Sequence, residues 1–467
     1  MNVVNYFLEL MFGKRRSTLS DEQALGQDEI KELYLQGILS HLKSCVSNPS
    51  KISQKYETLK ENFPEIAHNP QVDAKQFIDY IRILYPELDR KGDWREGLSF
   101  LVGAATTERT EAELMECYLW LSLFSGYVTN YEPAIAFARK AIELAKKLRD
   151  DLSLTVAMKY LARVYRSQGD YRTAIAYYDE VIKIAGQRND DAEIAHSYGS
   201  KGLTYWHLKQ YESALQALQT AHGIFIRLAD EKRTGQTYNS MGLVYTELGL
   251  YDRALLHFEK AVEIARRRDD KKEFALTEGN IGMTYCFLKK HEMALAYLGR
   301  TMQTMTDLQH NYRLAKAQIQ IAYVYWHRSQ ETDHREIALQ YSKEGYEIGL
   351  RHNILHFQII GASYQAIILQ GLNRISEALP LSELAVTLLD RIKLFDGLEE
   401  EIYFNHYLML KGINAAGADI YLKKAHDEVQ TKLGNVSDDG FRTSLLNTEL
   451  HQRIISEARE TSFITQA

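Results

Sequence analysis

The chain has 467 residues, 45% hydrophobic and 25% charged, with only 6 prolines and 27 glycines, a balance that excludes collagen-like and Pro-rich linker chains. A net charge of −6 and a pI near 6.2 argue against a general nucleic-acid binder, which carries a basic surplus. Cys45, Cys117 and Cys286 lie far apart, giving no disulfide framework and no CxxC half-site, so a reducing cytoplasm is the expected setting.

Residues 1–20 read as an N-terminal tail. MNVVNYFLELMF is followed, not preceded, by Lys14, Arg15 and Arg16, the reverse of a secretory signal, and it contains Glu9. No window has about 18 uncharged apolar residues, so no firm membrane association is expected. Phe7, Leu8, Met11 and Phe12 would at most form a weak docking segment. Residues 21–111 read as a helical N-terminal cap, with candidate helices at 27–46, 52–62, 74–84 and 93–106. Pro49, Pro64, Pro70, Pro86 and Pro133 all fall before residue 134, which predicts more broken connections here.

From residue 112 a period of forty takes over. Tyr131, Tyr171, Tyr211 and Tyr251 are forty apart, with His291 in the next place, and Ala134, Ala174, Ala214, Ala254 and Ala294 keep step. So do Tyr165, Tyr205, Tyr245, Tyr285 and Tyr325, each three residues after a small residue: Ala162, Gly202, Gly242, Gly282 and Ala322. Gly242 and Tyr245 share a face of one helix. Gly249 marks a turn, and Ala254, Phe258 and Ala261 share a face of the next helix. Each unit is thus a helical hairpin that completes its core only by stacking. The units run about 112–151, 152–191, 192–231, 232–271 and 272–311. A sixth, about 312–353, carries an insertion near Gln330–His334, and a seventh, about 354–394, keeps Ser376–Leu379 and Ala385. RNDDAE (188–193), ADEKRT (229–234) and RRDDKK (267–272) read as solvated loops between hairpins. The array proper is expected over 112–398. Residues 399–460 should hold a degenerate repeat and capping helices, with Ser437 and Asp438 as cap candidates and Phe441, Leu445 and Leu446 covering the last repeat.

In SQGDYRTAIAYYDEVIKIA and ELGLYDRALLHFEKAVEIA, the Gly-x-Tyr and Ala-x-x-x-Phe/Tyr spacings resemble the tetratricopeptide repeat (TPR), in its longer form of some forty residues. The resemblance implies an all-α, right-handed superhelical solenoid with a helical N-terminal cap and C-terminal capping helices. The stretch 81–105, with Gly92, Trp94, Arg95, Glu96, Gly97 and Leu98, resembles the junction that opens the repeat arm of signal-transduction ATPases with numerous domains, the STAND regulators. Residues 421–458 resemble the closing helices of such arms. No G-x-x-x-x-G-K-[ST] phosphate loop occurs, so the chain resembles a detached arm whose output chemistry lies on another polypeptide.

No HExxH, GxSxG or GxGxxG stands in a usable context, and neither a metal nor a cofactor is expected. His352 and His356 read as a helix-start pair and Cys286 as a small packing or groove residue. The resemblance to TPR stacks implies that the first helix of each hairpin lines the concave face. The stripe opposite the packing columns is Lys159, Arg163, Arg166; Gly199, Leu203, Trp206; Asn239, Leu243, Thr246; Gly279, Met283, Cys286; and Ile319, Tyr323, Trp326, with His207, Asn280, Gln320 and His327 beside it. Lys159, Arg163, Arg166, Trp206, His207, Asn239, Asn280, Tyr323, Trp326 and His327 are the expected contacts for a protein or peptide with an acidic segment and an apolar one. The expected role is a non-enzymatic, cytoplasmic adaptor or sensor that binds a partner in its groove and regulates a separate effector in a bacterial signalling or defence assembly. A peptide-pheromone receptor is the second reading, although 21–104 shows no basic recognition helix. An enzyme with an unrecognised site is the third.

Overall fold

The computed structural model describes residues 74–461, apart from 92–93, 96, 99–100, 102–109, 129, 330, 393–394 and 396. The expected tail at 1–20, the candidate helices at 27–46 and 52–62, and Cys45 lie outside the described residues, as does most of 93–106. The described residues form nineteen helices and no strand. They divide into two compact units, with the boundary between Ala157 and Met158.

In the first unit, α1 (Ala74–Lys91) runs seven residues beyond the expected 74–84, straight through Pro86. A proline inside a helix costs about 3 kcal/mol. Here Tyr80, Ile81, Leu84 and Leu88 form one fully buried face, and burying such side chains gains roughly 1.5–3 kcal/mol each. That packing outweighs the break expected from the sequence. Helix α2 (Glu111–Tyr127) starts from a capping box, with Thr110 and Glu113 exchanging side-chain and backbone hydrogen bonds. Trp94 stacks on Tyr127 at 4.2 Å between ring centroids, and a Cβ on Gly97 would lie 2.8 Å from the Phe124 ring. Helix α3 (Tyr131–Leu148) tolerates Pro133 because it falls in the first turn, where the missing N–H has no intrahelical partner.

Helix α4 (Asp151–Ser167) carries the unit boundary. The second unit continues with α5 (Tyr171–Gln187), α6 (Asp191–His207), α7 (Tyr211–Arg227), α8 (Glu231–Glu247), α9 (Tyr251–Arg267), α10 (Lys271–Phe287) and α11 (His291–Asp307). It goes on through α12 (Asn311–Arg328), α13 (Thr332–Arg351), α14 (Leu355–Gly371), α15 (Ile375–Leu389), α16 (Glu399–Gly412) and α17 (Ala418–Gly434). Two short helices, α18 (Asp439–Leu446) and α19 (Glu449–Glu460), close the chain. Within the second unit, from α5 onward, consecutive helices pack against each other as hairpins.

The polar stretches expected as loops are far tighter than that. From Arg149 to Gln309 one residue in every twenty takes positive φ: Arg149, Gly169, Asn189, Lys209, Ala229, Gly249, Asp269, Lys289 and Gln309. Each left-handed residue ends one helix, and the next N–H reaches back to a carbonyl five residues earlier, as from Asp190 to Ala185 and from Leu250 to Tyr245. Asp170, Asp190, Asp230 and Asp270 then cap the following helix by accepting from the N–H three residues on. The turn is therefore about three residues long, and the true structural period is twenty. At the sixth hairpin the left-handed turn is replaced by extended Ser329, with φ −158° and ψ 151°, which accounts for the insertion near Gln330–His334.

The small-residue column sits where expected, with one refinement. A Cβ on Gly242 would fall 2.5–2.9 Å from three atoms of the Phe258 ring, and one on Gly202 or Gly282 would meet Leu218 or Leu298 at 2.8–2.9 Å. Each glycine thus makes room for the large residue four after the alanine, as much as for the alanine itself.

The C-terminal helices do not stay at the end of the array. Val436 and the fully buried Leu445 share one core with Tyr211, Leu248 and Phe258, some two hundred residues earlier, and Phe441 packs against it. Asn435 Nδ2 donates to the Leu208 carbonyl at 3.2 Å, and the N–H groups of Ser437 and Asp438 donate to Glu212 Oε1 at 2.6 and 3.0 Å. Asp438, one of the two cap candidates, is the N-cap of α18, accepting from Phe441 N–H at 2.8 Å. Leu446 packs on the last repeat as expected, together with Ile454, Ile455 and Ala458 of α19. Phe441 and Leu445 correct the expectation: they reach back to the hairpins at 192–271, because the curl of the stack brings those turns under α18.

Candidate functional site: the covered concave face

The return of the C-terminal helices partly covers the concave side of the second unit. Two adjoining cavities, of about 240 and 600 Å³, lie there. They share Thr246, Glu247, Phe287, Tyr323, Leu398, Glu401 and Lys432 as a common wall. The smaller is lined by the first helices α6, α8, α10 and α12, together with the segment around Leu398. The larger is floored by α10, α12 and α14 and roofed by α16 and α19.

The expected contact residues divide between this space and elsewhere. Trp206, His207, Asn280 and Tyr323 line the smaller cavity, and Tyr323, Trp326 and His327 the larger. Lys159, Arg163, Arg166 and Asn239 line neither. Lys159 is half-buried in an ion pair with Glu193 at 2.8 Å, and the Arg163 guanidinium sits 5.3 Å from the Tyr160 ring centre. Arg166 acts electrostatically on Tyr171, whose hydroxyl is pushed up mainly by burial. Asn239 is buried, and its Oδ1 accepts from Asn280 Nδ2 at 2.8 Å, which ties two successive repeats together. His207 stacks on Tyr171. Burial holds the His327 imidazole down to about 4, so it is neutral near pH 7.

His352 and His356 take structural parts, contacting Asn311 Nδ2 at 3.2 Å and the Tyr312 hydroxyl at 3.0 Å on the preceding repeat. Cys286 is buried against Ala294 and Leu298 while edging the larger cavity, and burial pushes its thiol up to about 12. Among the described residues no group of three or more His, Cys, Asp and Glu is arranged to hold a metal ion, and no helix is long and apolar enough to cross a membrane.

The charged wall of this space was not legible in the sequence. Lys432 of α17 is 3% exposed; its Nζ lies 2.6 Å from Glu400 and 3.6 Å from Glu247. His451 Nε2 approaches Glu400 Oε1 at 3.2 Å. Burial alone would raise the Glu400 carboxyl, but Lys432 and His451 hold it well below the usual carboxylate range. Glu247 is instead raised, chiefly by burial. Burial pushes Glu401 up to about 7, against a hydrogen bond from the Tyr364 hydroxyl at 3.1 Å. Nearby, Lys209 bridges Glu399 at 2.7 Å and Glu428 at 2.5 Å. Acidic residues in the first turn of a helix complement its dipole and are ordinarily exposed. Only the returning chain, which supplies Lys432 and His451, reveals that Glu400 and Glu401 are buried.

A family model, tetratricopeptide repeat, matches residues 118–187 and 193–267. Over these residues the chain carries tetratricopeptide repeats. No characterised protein sequence matches it significantly. Among solved structures, this TPR protein is similar to a Rap protein complexed with competence and sporulation factor, at 13% identity and a TM-score of 0.54 over 78% of this chain and 100% of that one. It is also similar to the apo quorum sensor NprR from B. thuringiensis, at 16% identity and a TM-score of 0.49 over 77% and 99%. A third similar structure is a signal transduction ATPase with numerous domains and a tetratricopeptide repeat sensor from Pyrococcus horikoshii, at 16% and 0.45 over 91% and 68%. At 13% identity the likeness to the Rap protein is one of fold: an all-α helical-repeat solenoid.

Proposed function

We propose that this TPR protein is a non-enzymatic sensor or adaptor, holding a peptide or a segment of a partner protein against its concave face and regulating a separate effector in a bacterial cytoplasmic assembly. The observation that carries the reading is the partly covered pair of cavities beside α16, walled by Trp206 and Tyr323 in the smaller and by Tyr323 and Trp326 in the larger, which α19 also roofs. Aromatic walls with a few polar groups are the ordinary chemistry of a ligand pocket, and about 600 Å³ falls in the usual range of about 300–1,000 Å³. Lys159, Arg163 and Arg166, which lie outside the cavities, would meet an acidic part of the same partner where it leaves the covered region. The peptide-receptor version gains from the partial cover, since a cleft with a roof over one side suits a short peptide or a chain end better than a folded surface. The similar Rap protein was solved with a factor bound.

The test is affinity capture from the source cells, identification by mass spectrometry, and rebinding of the purified partner to the parent, to Tyr323→Ala and to Arg163→Glu with Arg166→Glu. Weaker binding to Tyr323→Ala, insensitive to salt, is expected from the aromatic wall. Salt-sensitive loss with the charge reversals is expected from the cationic end. Unchanged binding to both variants places the partner elsewhere on the chain.

A further inference from the structure

The covered space brings three carboxylates close together. Glu247, Glu400 and Glu401 all line it, and Glu247 and Glu400 share a single lysine, Lys432. Lys289 pairs with Glu449 at 3.4 Å and Lys209 with Glu399 at 2.7 Å, while Arg453 and Lys432 act on Glu401 only from beyond ion-pair distance. Among the described residues no cation stands within ion-pair distance of Glu401, although its side chain is on the shared wall of both cavities and the residue is only 7% exposed. Its one hydrogen bond comes from the Tyr364 hydroxyl. Next to it, Glu400 Oε2 is buried with no hydrogen-bond partner. A buried carboxylate without a salt-bridge partner is costly, and bringing a cation into contact with it removes much of that cost. The walls around it are aromatic: Phe287 and Tyr323 on both cavities, Tyr251, Trp326 and Phe404 on the larger. Ring faces attract ammonium and guanidinium groups, more strongly where water is excluded.

We propose that Glu401 is the anchor for a cationic group of the bound ligand, an ammonium or guanidinium that enters the larger cavity between α12 and α16. The proposal rests on the groove reading above and names the end of the ligand that goes under the roof. That end is basic, whereas the segment outside, near Arg163 and Arg166, is acidic. An anionic group placed beside Glu401 would be repelled by it and by the neighbouring Glu400. The cation can belong to a peptide, as a lysine, an arginine or a free N-terminus, or to a free polyamine.

The experiment uses the whole chain and three probes: a pool of N-acetylated hexapeptides with one fixed lysine, the same pool with that lysine Nε-acetylated, and spermidine. Each is tested against the parent and Glu401→Gln. Glutamine keeps the shape and an acceptor for the Tyr364 hydroxyl, so the variant should melt no lower than the parent. The parent should retain lysine peptides, lose most of them on acetylation, and bind them roughly 10- to 100-fold more tightly than Glu401→Gln, as expected for one charge-assisted contact. Equal retention of both pools overturns the cation anchor while leaving the groove reading standing. Equal binding of lysine peptides to parent and variant overturns Glu401 as its position. Retention of spermidine alone, abolished in Glu401→Gln, supports the anchor and overturns the peptide reading. Retention of no probe overturns the anchor.

Discussion

Gly242→Ala is a small change whose sign tests the hairpin packing. Alanine in a helix interior is ordinarily favoured over glycine by about 1 kcal/mol. At Gly242 of α8, however, the new Cβ would lie 2.5, 2.7 and 2.9 Å from Cε1, Cδ1 and Cζ of Phe258. Carbon atoms in contact prefer about 3.5–4.0 Å, so the ring or the helix must move by roughly an ångström. Phe258 is fully buried in the core that also holds Tyr211, Leu248 and Leu445, so it has little room to yield. Overpacking of this kind costs roughly 1–3 kcal/mol. The net expectation is between no change and a loss of about 2 kcal/mol. Gly242→Leu, which adds three more carbons to the same place, should lose about 3 kcal/mol or more. Gly223 in α7 is the control, since a Cβ there meets nothing within 4 Å and alanine should stabilise by about 0.5–1 kcal/mol. Urea denaturation followed by far-UV circular dichroism reads all three. If Gly242→Ala stabilises as much as Gly223→Ala, the close approach of α8 to α9 is wrong.

Asp230→Ala removes the cap on Arg233 N–H and should cost about 1 kcal/mol in the same assay, whereas Asp252→Ala, which caps nothing, should cost far less. Lys432→Met strands Glu400 and Glu247 and should destabilise by roughly 3–5 kcal/mol, with Lys432→Met combined with Glu400→Gln recovering part of the loss. His327 and His406 are both held down to about 4 by burial, so the stability that comes from keeping them neutral is present above about pH 6.5 and is lost as pH falls toward 4. Denaturation midpoints should fall over that window, and His327→Gln with His406→Gln should flatten the slope.

The repeat was legible because its columns are local. Gly242, Tyr245, Ala254 and Phe258 lie within seventeen positions, and i, i+3 and i+4 spacing settles which face each occupies. The turns were harder to read, because only Gly169 and Gly249, and more weakly Asn189 and Asp269, announce the left-handed residue by type. Lys209, Ala229 and Lys289 adopt the same conformation with side chains that ordinarily avoid it, held there by the helices on either side. The charged wall was not readable at all. Glu400 meets Lys432 thirty-two residues on and His451 fifty-one on, and Leu445 meets Leu248 across almost half the chain. Such contacts depend on the accumulated curl of many hairpins, which no single window contains. The cations at Lys159, Arg163 and Arg166 share a helix as the spacing implies. Glu193, one repeat away, supplies the partner of Lys159 that the first-helix stripe alone does not display.

Which face binds is the central question, and a photo-crosslinker placed at single positions answers it most directly. Benzoylphenylalanine is installed at Trp206, at Trp326, or at Leu256, a half-exposed residue on the second helix α9 that lines neither cavity. Each protein is irradiated with its captured partner, and the adducts are mapped by mass spectrometry. Crosslinks from positions 206 and 326 and none from 256 are the expected result. Crosslinks from 256 with none from 206 or 326 would contradict a ligand held on the covered concave face.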